Sequence, residues 1–251
     1  MLHSGKHALV TGGGTGIGLA IAQALAAEGA QVTITGRRTE VLEAVAGNGL
    51  HALAMDVMDE AQVVEGIKTA VAARGPIQIV VANAGIAEGK SLQKTDLEFW
   101  QRIMRTNLDG AFLTIRESMR GMLDTDWGRV IVVSSLAGLR GLKGAGAYSA
   151  SKHGVIGLIR SYSEEYMGGP ITFNALCPGY VETDIVALNS ESIAQRTGMS
   201  VEQARQAMAD SNRHRRLISV EEVATAAMWL CHPLSGAVNG QCVEIAGGQV
   251  R

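Results

Sequence analysis

Short apolar runs alternate along the chain with longer segments of helical character. The apolar runs predict strands at 6–11, 31–36, 50–55, 77–82, 128–134, 170–177 and 240–245. The longer segments predict helices at 17–28, 39–46, 59–73, 97–122, 147–167 and 220–231. Strands that alternate with helices indicate an α/β fold with a parallel sheet, and right-handed crossovers place the helices on both of its faces.

Residues 182–218 break this alternation between the sixth strand and the last long helix. The segment is richer in polar residues, and we predict two short helices within it. In an open α/β sheet the ligand lies beyond the carboxyl ends of the strands. Because the segment follows such an end, we expect it to act as a lid over a bound ligand.

Bulk properties argue against several classes of protein. The chain has 251 residues, enough for one large domain with a sizeable core. Its net charge of −2 gives no indication of nucleic-acid binding, and no apolar run reaches the length needed to span a membrane. Residues 1–6 lack the apolar core of a signal peptide. We therefore expect neither nucleic acid nor a membrane among the partners.

The chain contains three cysteines, Cys177, Cys231 and Cys242, which are widely spaced. An odd number with such spacing argues against a disulfide framework and predicts a reducing, cytoplasmic location. None of them forms a C-x-x-C spacing, so we predict structural thiols and no metal site.

A glycine-rich turn joins the first predicted strand to the first predicted helix. Its glycines follow the pattern Gly12-x-x-x-Gly16-x-Gly18, with five glycines among the seven residues 12–18. Missing side chains let the backbone approach a phosphate, and the helix N-terminus offers free N–H groups. The alternative is tight packing alone, but so many glycines would cost backbone entropy without a further use. The turn therefore predicts a phosphate-binding site.

Tyr148 and Lys152 lie four residues apart, and Ser135 lies thirteen residues before the tyrosine. Four residues is about one helical turn, so both side chains project from the same face. The ammonium stabilises the phenolate, and we expect the tyrosine pKa to fall from about 10 toward neutrality. With a serine hydroxyl nearby, the three groups predict proton exchange with a carbonyl or an alcohol. The spacing alone also arises by chance on many helices.

Further motifs follow in a fixed order along the chain. The full series is Thr11-Gly12 through Gly18, Asn83-Ala84-Gly85, Asn107, Ser135, Tyr148 to Lys152, and Pro178-Gly179. In this order the chain resembles the short-chain dehydrogenase/reductase family over nearly its whole length, particularly 3-oxoacyl thioester reductases and related alcohol dehydrogenases. The resemblance implies a single Rossmann-like, doubly wound domain over 1–251, with a seven-stranded sheet in the order 3-2-1-4-5-6-7 and a substrate lid at 182–218.

The resemblance also implies a role for each catalytic residue. Ser135 donates a hydrogen bond to the substrate carbonyl oxygen, and Tyr148 gives that oxygen a proton as hydride reaches the carbon. Lys152 lowers the tyrosine pKa and binds the nicotinamide ribose. Asn107 holds a water that links the lysine to solvent, or alternatively bonds backbone within its helix. Ser134 is the alternative to Ser135, whose spacing to the tyrosine matches the family.

Cofactor contacts follow from the family by position. Asp56 and Val57 match the residues that hold the adenine, while Asn83 either faces the cofactor ribose or stabilises the sheet. Pro178-Gly179 supports the nicotinamide, although this dipeptide is also common in plain turns. The implied set is Gly12, Gly14, Thr15, Gly16, Ile17, Gly18, Asp56, Val57, Asn83, Ala84, Gly85, Tyr148, Lys152, Pro178, Gly179, Val181 and Thr183.

The end of the second predicted strand indicates which dinucleotide binds. An NAD-selective site usually has an acidic residue here for the ribose 2′-hydroxyl, and this chain has Gly36, Arg37 and Arg38 instead. A guanidinium suits the oxygens of a 2′-phosphate, so we predict NADP in preference to NAD. The alternative is that the two arginines only solvate a helix start. Thr15 argues against NADP, because many NADP-dependent relatives carry a basic residue at that position.

The substrate is less visible in the sequence. Leu139 and Leu142 suggest an apolar wall beside the reacting carbon, and Arg140 and Lys143 are either anion ligands or solvated loop cations. The basic cluster 213–216 could meet the phosphates of a coenzyme A or carrier-protein thioester. It could equally be structural, since Arg216 matches an arginine that family members keep before this helix. A 3-oxoacyl or 3-hydroxyacyl thioester is thus a mild preference.

Three other functions compete with this prediction. The first is an NAD-dependent catabolic dehydrogenase of a small or cyclic alcohol. The second is a non-catalytic nucleotide-sensing scaffold, but such proteins tend to lose the tyrosine or lysine that this chain keeps. The third is a sugar-nucleotide epimerase or dehydratase, but those chains are usually longer and carry a separate substrate domain. The family resemblance also implies a homotetramer.

Overall fold

Seven parallel strands form one sheet in a computed structural model that describes residues 1–248. The strands are β1 His7–Thr11, β2 Gln31–Gly36, β3 Leu50–Ala54, β4 Ile77–Ala82, β5 Gly128–Val133, β6 Ile171–Pro178 and β7 Cys242–Ile245. Their order is β3-β2-β1-β4-β5-β6-β7, which confirms the predicted fold class and topology. The single domain was predicted over 1–251, and its residues 249–251 lie outside the described part of the chain.

Helices cover both faces of this sheet. They are α1 Gly16–Ala27, α2 Thr39–Val45, α3 Glu60–Arg74, α4 Leu97–Met104, α5 Gly110–Met122, α6 Gly146–Glu165, α7 Asp184–Thr197, α8 Val201–Ser211 and α9 Val220–Cys231. Residues of α1, α2 and α9 build the core on one face, and residues of α3, α5 and α6 build the core on the other. A sheet buried on both faces requires apolar side chains pointing both ways, which explains the near-continuous apolar runs in the sequence.

The predicted helix 97–122 is interrupted in the structure. A π-helical turn at Arg105–Asp109 separates α4 from α5. The single-helix prediction is therefore wrong at this point. A π-helical turn holds one residue more than an α-helical turn, and the flanking apolar spacing does not reveal that extra residue. Such turns are frequent at functional sites, and Asn107 lies buried within this one.

The polar segment 182–218 contains the two predicted helices, α7 and α8, which pack against each other. α8 begins with a capping box in which Ser200 and Gln203 satisfy each other's backbone N–H groups. The base of the segment is closed by pairing of Val181 with Ile218. The N–H of Glu182 donates to the Ile218 carbonyl oxygen at 2.8 Å. Both ends of the segment thus leave the sheet at one point, beyond the carboxyl end of β6.

Among residues 1–248 no helix is both long enough and apolar enough to cross a membrane. The same residues contain no cluster of three or more histidine, cysteine or carboxylate side chains arranged to hold a metal ion. The three cysteines are free thiols, and Cys177 and Cys231 are buried.

A neutral histidine is built into β1. His7 is buried, with Nδ1 2.8 Å from the Gly75 carbonyl oxygen and Nε2 2.9 Å from the Thr33 hydroxyl. The Gly75 carbonyl oxygen can only accept, so Nδ1 carries the ring proton. Nε2 of the neutral ring then accepts from the Thr33 hydroxyl, which itself accepts from the Arg74 guanidinium at 3.1 Å. This arrangement suits the neutral ring, and burial lowers the pKa of His7 to about 4.

We therefore expect His7 to make the protein acid-sensitive. Its folded pKa lies below its unfolded value of 6.5, so the unfolded chain binds more protons between these values and stability falls as pH drops through them. The unfolding free energy should fall when the pH is lowered from about 7.5 to about 5, and this fall should be about 2 kcal/mol smaller in His7→Gln than in the wild type. Urea titrations of both proteins at the two pH values measure the unfolding free energies. An equal loss in both proteins would contradict it.

Candidate active site

The glycine turn after β1 has no room for side chains at its key glycine positions. Gly12 and Gly16 adopt positive φ angles of 63° and 53°, a region that favours glycine. A Cβ atom on Gly18 would lie 2.3 Å from the Gly12 carbonyl oxygen and 2.5 Å from Nδ2 of Asn83. The start of α1 is thereby held directly against the turn, and the N-terminus of a helix is where a phosphate can bind backbone N–H groups.

The turn is fixed to the neighbouring strand by Asn83. Its Nδ2 donates to the carbonyl oxygens of Thr11 at 2.9 Å and Gly12 at 3.2 Å. The N–H groups of Asn83 and Ala84 both donate to the Thr11 hydroxyl at 3.0 Å. These bonds favour the structural interpretation of Asn83, because its amide nitrogen is occupied by backbone. Thr11 begins the motif series, but the sequence indicated no role for its hydroxyl, which the structure shows as an acceptor for two N–H groups.

A cavity of about 210 Å³ lies beyond the ends of β1, β2 and β3. Nine of the predicted cofactor residues line it, namely Gly12, Gly14, Thr15, Arg37, Arg38, Asp56, Val57, Ala84 and Gly85. Gly16 and Gly18 do not line it. Met58 and Thr106 do, although neither carried a signal in the sequence.

The charged side chains of this first cavity differ in whether they have hydrogen-bond partners within the protein. Oδ1 of Asp56 accepts the N–H of Met58 at 3.0 Å, which holds the carboxylate at the cavity wall. Arg37 and Arg38 are exposed, and neither guanidinium has a hydrogen bond or ion pair with the rest of chain 1–248. Two unpaired guanidinium groups at this wall give the cavity a positive end.

A second cavity, of about 340 Å³, adjoins the first and shares Gly85 and Ile86 with it. The sequence-predicted residues that line it are Ile17, Asn83, Gly85, Ser135, Tyr148, Lys152, Pro178, Gly179, Val181 and Thr183, together with Ser134, Leu142 and Lys143. Residues of α7 and α8 close its outer side, among them Val186 and Met208. The structure thus brings the catalytic motif and the end of β6 together in one space.

Lys152 is buried at the floor of this second cavity. Its Nζ donates to the Val133 carbonyl oxygen at 2.8 Å and lies 5.8 Å from the centre of the Tyr148 ring. A Cβ atom on Gly85 would come within 3.5 Å of Nζ, so the glycine leaves the ammonium accessible from the cofactor side. Burial lowers the pKa of Lys152 to about 8, and the ammonium form still dominates at neutral pH.

The pKa of Tyr148 moves opposite to the sequence prediction. Burial raises it, a hydrogen bond with Ser135 lowers it, and charge on Tyr180 raises it further. The net direction is upward, so the predicted fall toward neutrality is wrong for this structure. The reason is geometric: the Lys152 ammonium donates to a backbone carbonyl and not to the phenol oxygen. Tyr148 is therefore held protonated and ready to donate.

The two adjacent serines have different partners. Ser134 donates its hydroxyl to the Lys152 carbonyl oxygen at 3.0 Å, within the protein interior. Ser135 accepts the N–H of Ala137 at 3.1 Å, and its hydroxyl is near enough to Tyr148 to oppose the rise in the pKa of the phenol. Only Ser135 thus combines contact with the tyrosine and a free donor direction, which favours it over Ser134 as predicted.

Asn107 is bound on both sides of its amide. Its Oδ1 accepts the Ile86 N–H at 2.8 Å, and its Nδ2 donates to the Ile86 carbonyl oxygen and the Ser151 hydroxyl, both at 3.0 Å. These bonds clamp the loop after β4 onto the π-helical turn. The side chain thus bonds mainly backbone, as the alternative interpretation expected, although that backbone belongs to the Ile86 loop and not to its own helix.

The loop after β6 closes over the glycine turn. A Cβ atom on Gly16 would lie 3.2 Å from Cγ2 of Thr183, so the first residues of the lid sit directly above that turn. Gly179 donates its N–H to the Ile245 carbonyl oxygen at 3.0 Å, which fixes the loop to β7. Two predicted cofactor segments that lie far apart in the sequence meet here.

Comparison with known proteins agrees with this arrangement. A family model described as short chain dehydrogenase matches residues 6–194. The chain belongs to this family. This short-chain dehydrogenase is accordingly an oxidoreductase, as its motifs predict.

Named relatives match almost the entire dehydrogenase. It is 34% identical to a 3-oxoacyl-(acyl-carrier-protein) reductase of Aquifex aeolicus, with 97% of each chain covered. It is also 34% identical to a D-beta-hydroxybutyrate dehydrogenase of Cupriavidus necator, with 98% of each covered. A crystal structure of an actinorhodin polyketide ketoreductase variant with NADPH superimposes with a TM-score of 0.95, at 32% identity, covering 100% of this chain and 99% of that one.

The basic cluster of the dehydrogenase lies apart from both cavities. Arg216 forms a two-fold ion pair with Glu222, at 2.6 Å for each contact, at the start of α9. None of residues 213–216 lines either cavity. The structural interpretation of Arg216 is therefore the better one. Of the two loop cations, Lys143 lines the second cavity and Arg140 does not.

Proposed function

We propose that this dehydrogenase interconverts a ketone and a secondary alcohol with NADP in preference to NAD, and that its substrate is a 3-oxoacyl or 3-hydroxyacyl thioester. The observation that carries the proposal is the gathering of Ser135, Tyr148 and Lys152 at one cavity that opens onto the glycine turn. Proton exchange with a substrate oxygen needs a hydroxyl, a phenol and an ammonium group close together, and these three side chains line the same cavity.

The residues fit a dinucleotide cofactor. The key glycine positions of the turn have no room for side chains, and the first cavity adjoins the second at Gly85, which lines both. When bound there, the nicotinamide ring supplies or accepts hydride. In the proposal Arg37 and Arg38 pair with the 2′-phosphate, while Asp56 and Val57 border the adenine.

Each catalytic side chain then has one task. Ser135 donates a hydrogen bond to the substrate oxygen, and Tyr148 passes its proton to that oxygen in the reductive direction. Lys152 supplies positive charge beside the phenol as negative charge develops on it during transfer. Asn107 keeps the π-helical turn and the Ile86 loop in place around the lysine.

Names of relatives support the substrate class and the cofactor. The similar Aquifex protein is named a 3-oxoacyl reductase, the similar Cupriavidus protein a hydroxybutyrate dehydrogenase, and the similar ketoreductase was solved with NADPH. The first two names place an oxygen on the third carbon of an acyl chain, and the third name describes reduction of a ketone in a polyketide. We extend the same chemistry to this chain.

The wider organisation belongs to the same proposal. One catalytic domain spans 1–251, and 182–218 forms the lid, because α7 and α8 supply the outer side of the second cavity. By family resemblance the enzyme is a cytoplasmic homotetramer. Sedimentation of the purified protein tests the assembly, and a monomer would contradict it.

Fluorescence titration with NADPH and NADH tests the cofactor preference. We expect NADPH to bind at least tenfold more tightly. Arg37→Gln and Arg38→Gln should each weaken NADPH binding roughly tenfold or more while leaving NADH unchanged, since each removes a charged partner of the 2′-phosphate. Arg213→Gln, at an exposed site outside both cavities, is the matched control.

The other outcomes point elsewhere. Tighter binding of NADH would overturn the cofactor preference and favour a catabolic dehydrogenase of a small or cyclic alcohol. Binding of neither dinucleotide would favour a non-catalytic scaffold and contradict the proposed reaction.

A further inference from the structure

A second phenol shares the reaction cavity with Tyr148. Tyr180 lines the same cavity, two residues after the end of β6, and is close enough for its charge to affect the pKa of Tyr148. Within residues 1–248 the Tyr180 hydroxyl makes no hydrogen bond, so its donor is available to a ligand. Tyr180 belongs to none of the motifs that predicted the site.

The main chain of Tyr180 is fixed by one buried side chain. Oδ1 of Asn212 accepts the Tyr180 N–H at 3.1 Å, and Nδ2 donates to the Tyr180 carbonyl oxygen at 3.0 Å. The same Nδ2 donates to the Arg216 carbonyl oxygen at 2.7 Å. Asn212 is fully buried, and its hydrogen-bonding groups are satisfied by these bonds.

Two neighbours make this arrangement close and rigid. A Cβ atom on Gly179 would lie 2.5 Å from Oδ1 of Asn212, so only glycine permits the amide to approach. The Ile218 N–H donates to the Tyr180 carbonyl oxygen at 2.9 Å, which adds a third bond to this one peptide segment. Burying an amide group costs free energy unless hydrogen bonds replace those it made with water. The bonds that satisfy the Asn212 amide also determine the position of Tyr180.

We propose that Tyr180 binds a second substrate oxygen, beside the carbonyl oxygen that Tyr148 and Ser135 hold, and that Asn212 is the residue that positions it. The inference rests on the proposed function and narrows it. A 3-oxoacyl compound carries a further oxygen on the carbon two positions from the ketone carbon, and both tyrosines line the cavity that would hold such a substrate. An isolated ketone offers no such group.

Tyr180→Phe distinguishes the two kinds of substrate. We expect kcat/KM for a 3-oxoacyl thioester to fall about tenfold, the size of one lost hydrogen bond to a well-placed donor. The value for a 2-alkanone of matched chain length should change less than about twofold. Tyr162→Phe is the matched control, because that ring packs against Phe173, 6.0 Å between centres, outside the cavity. An equal fall for both substrates would overturn the inference.

Asn212→Asp tests the positioning role. It keeps the acceptor for the Tyr180 N–H and removes both amide donors. We expect KM for the thioester to rise, the alkanone to be unaffected, and the double variant with Tyr180→Phe to be no worse than the poorer single variant. A purely structural asparagine would instead impair both substrates alike and add to the effect of Tyr180→Phe.

A binding measurement separates this inference from the proposed reaction. If the wild-type enzyme reduces neither substrate, the proposed function fails. The Kd of a 3-hydroxyacyl thioester, measured by calorimetry in wild type and Tyr180→Phe, then still decides the inference. A Kd about tenfold higher in the variant supports it, and an unchanged Kd overturns it.

Discussion

Replacing Tyr148 with phenylalanine should lower kcat roughly 10²- to 10⁴-fold, the contribution typical of one positioned acid or base. The ring stays and packs as before, but the proton donor beside Ser135 is gone. The Kd for NADPH should change little, because the glycine turn and the two arginines of the first cavity are untouched. Steady-state turnover and fluorescence titration on the same preparation measure both quantities.

Tyr166→Phe provides the comparison for this variant. Its ring stacks on Phe173 at 5.5 Å between centres and lies outside both cavities, so the same loss of a hydroxyl should leave kcat unchanged. Full turnover in Tyr148→Phe would remove the tyrosine from the reaction. A parallel loss of NADPH binding would mean that the substitution had disturbed the fold.

Gly18→Ala should weaken cofactor binding strongly, although the substitution adds only one methyl group. That methyl would meet the Gly12 carbonyl oxygen at 2.3 Å and the Asn83 amide at 2.5 Å, distances that force the turn or the helix to move. Overpacking of this kind costs roughly 1–3 kcal/mol in unfolding free energy. We expect the Kd for NADPH to rise at least tenfold, since the N–H groups of α1 would no longer face the phosphates.

Gly157→Ala is the matched control for this steric argument. It lies in the middle of α6, where a new Cβ atom meets nothing within 4 Å. Alanine there should leave NADPH binding unchanged and raise the unfolding free energy by roughly 0.5–1 kcal/mol. Denaturant titration and fluorescence give the two values. Wild-type affinity in Gly18→Ala would contradict the assignment of the turn as a phosphate cradle.

Most of the sheet could be predicted from the sequence because both of its faces are buried. Every predicted strand end lies within two residues of the observed one, as in β2, where prediction and structure both give 31–36. The glycine turn and the Tyr148–Lys152 pair were also visible, because each depends on spacing within one element. Local constraints of this kind leave a local pattern in the chain.

The features that the sequence did not reveal depend on contacts between distant segments. Asn212 is an ordinary polar residue at the end of α8, and its bonds to Tyr180 span 32 positions. The pKa of Tyr148 was predicted with the wrong sign, because the direction of the Lys152 ammonium is set by Val133 on β5. Spacing identifies which groups are near each other but not which atoms they face.

Because of the π-helical turn at Arg105–Asp109, the active site depends on the number of residues between α4 and α5 as well as on their identity. Removing one residue between Met104 and Asn107 would let α4 and α5 join into one regular helix. Each residue of an α-helix advances by about 100°, so Asn107 would swing away from Ile86 by more than a quarter turn. Every motif residue would survive, yet the loop would lose its clamp. Single-residue deletions, which substitution scans never sample, are therefore a separate route to silencing this enzyme.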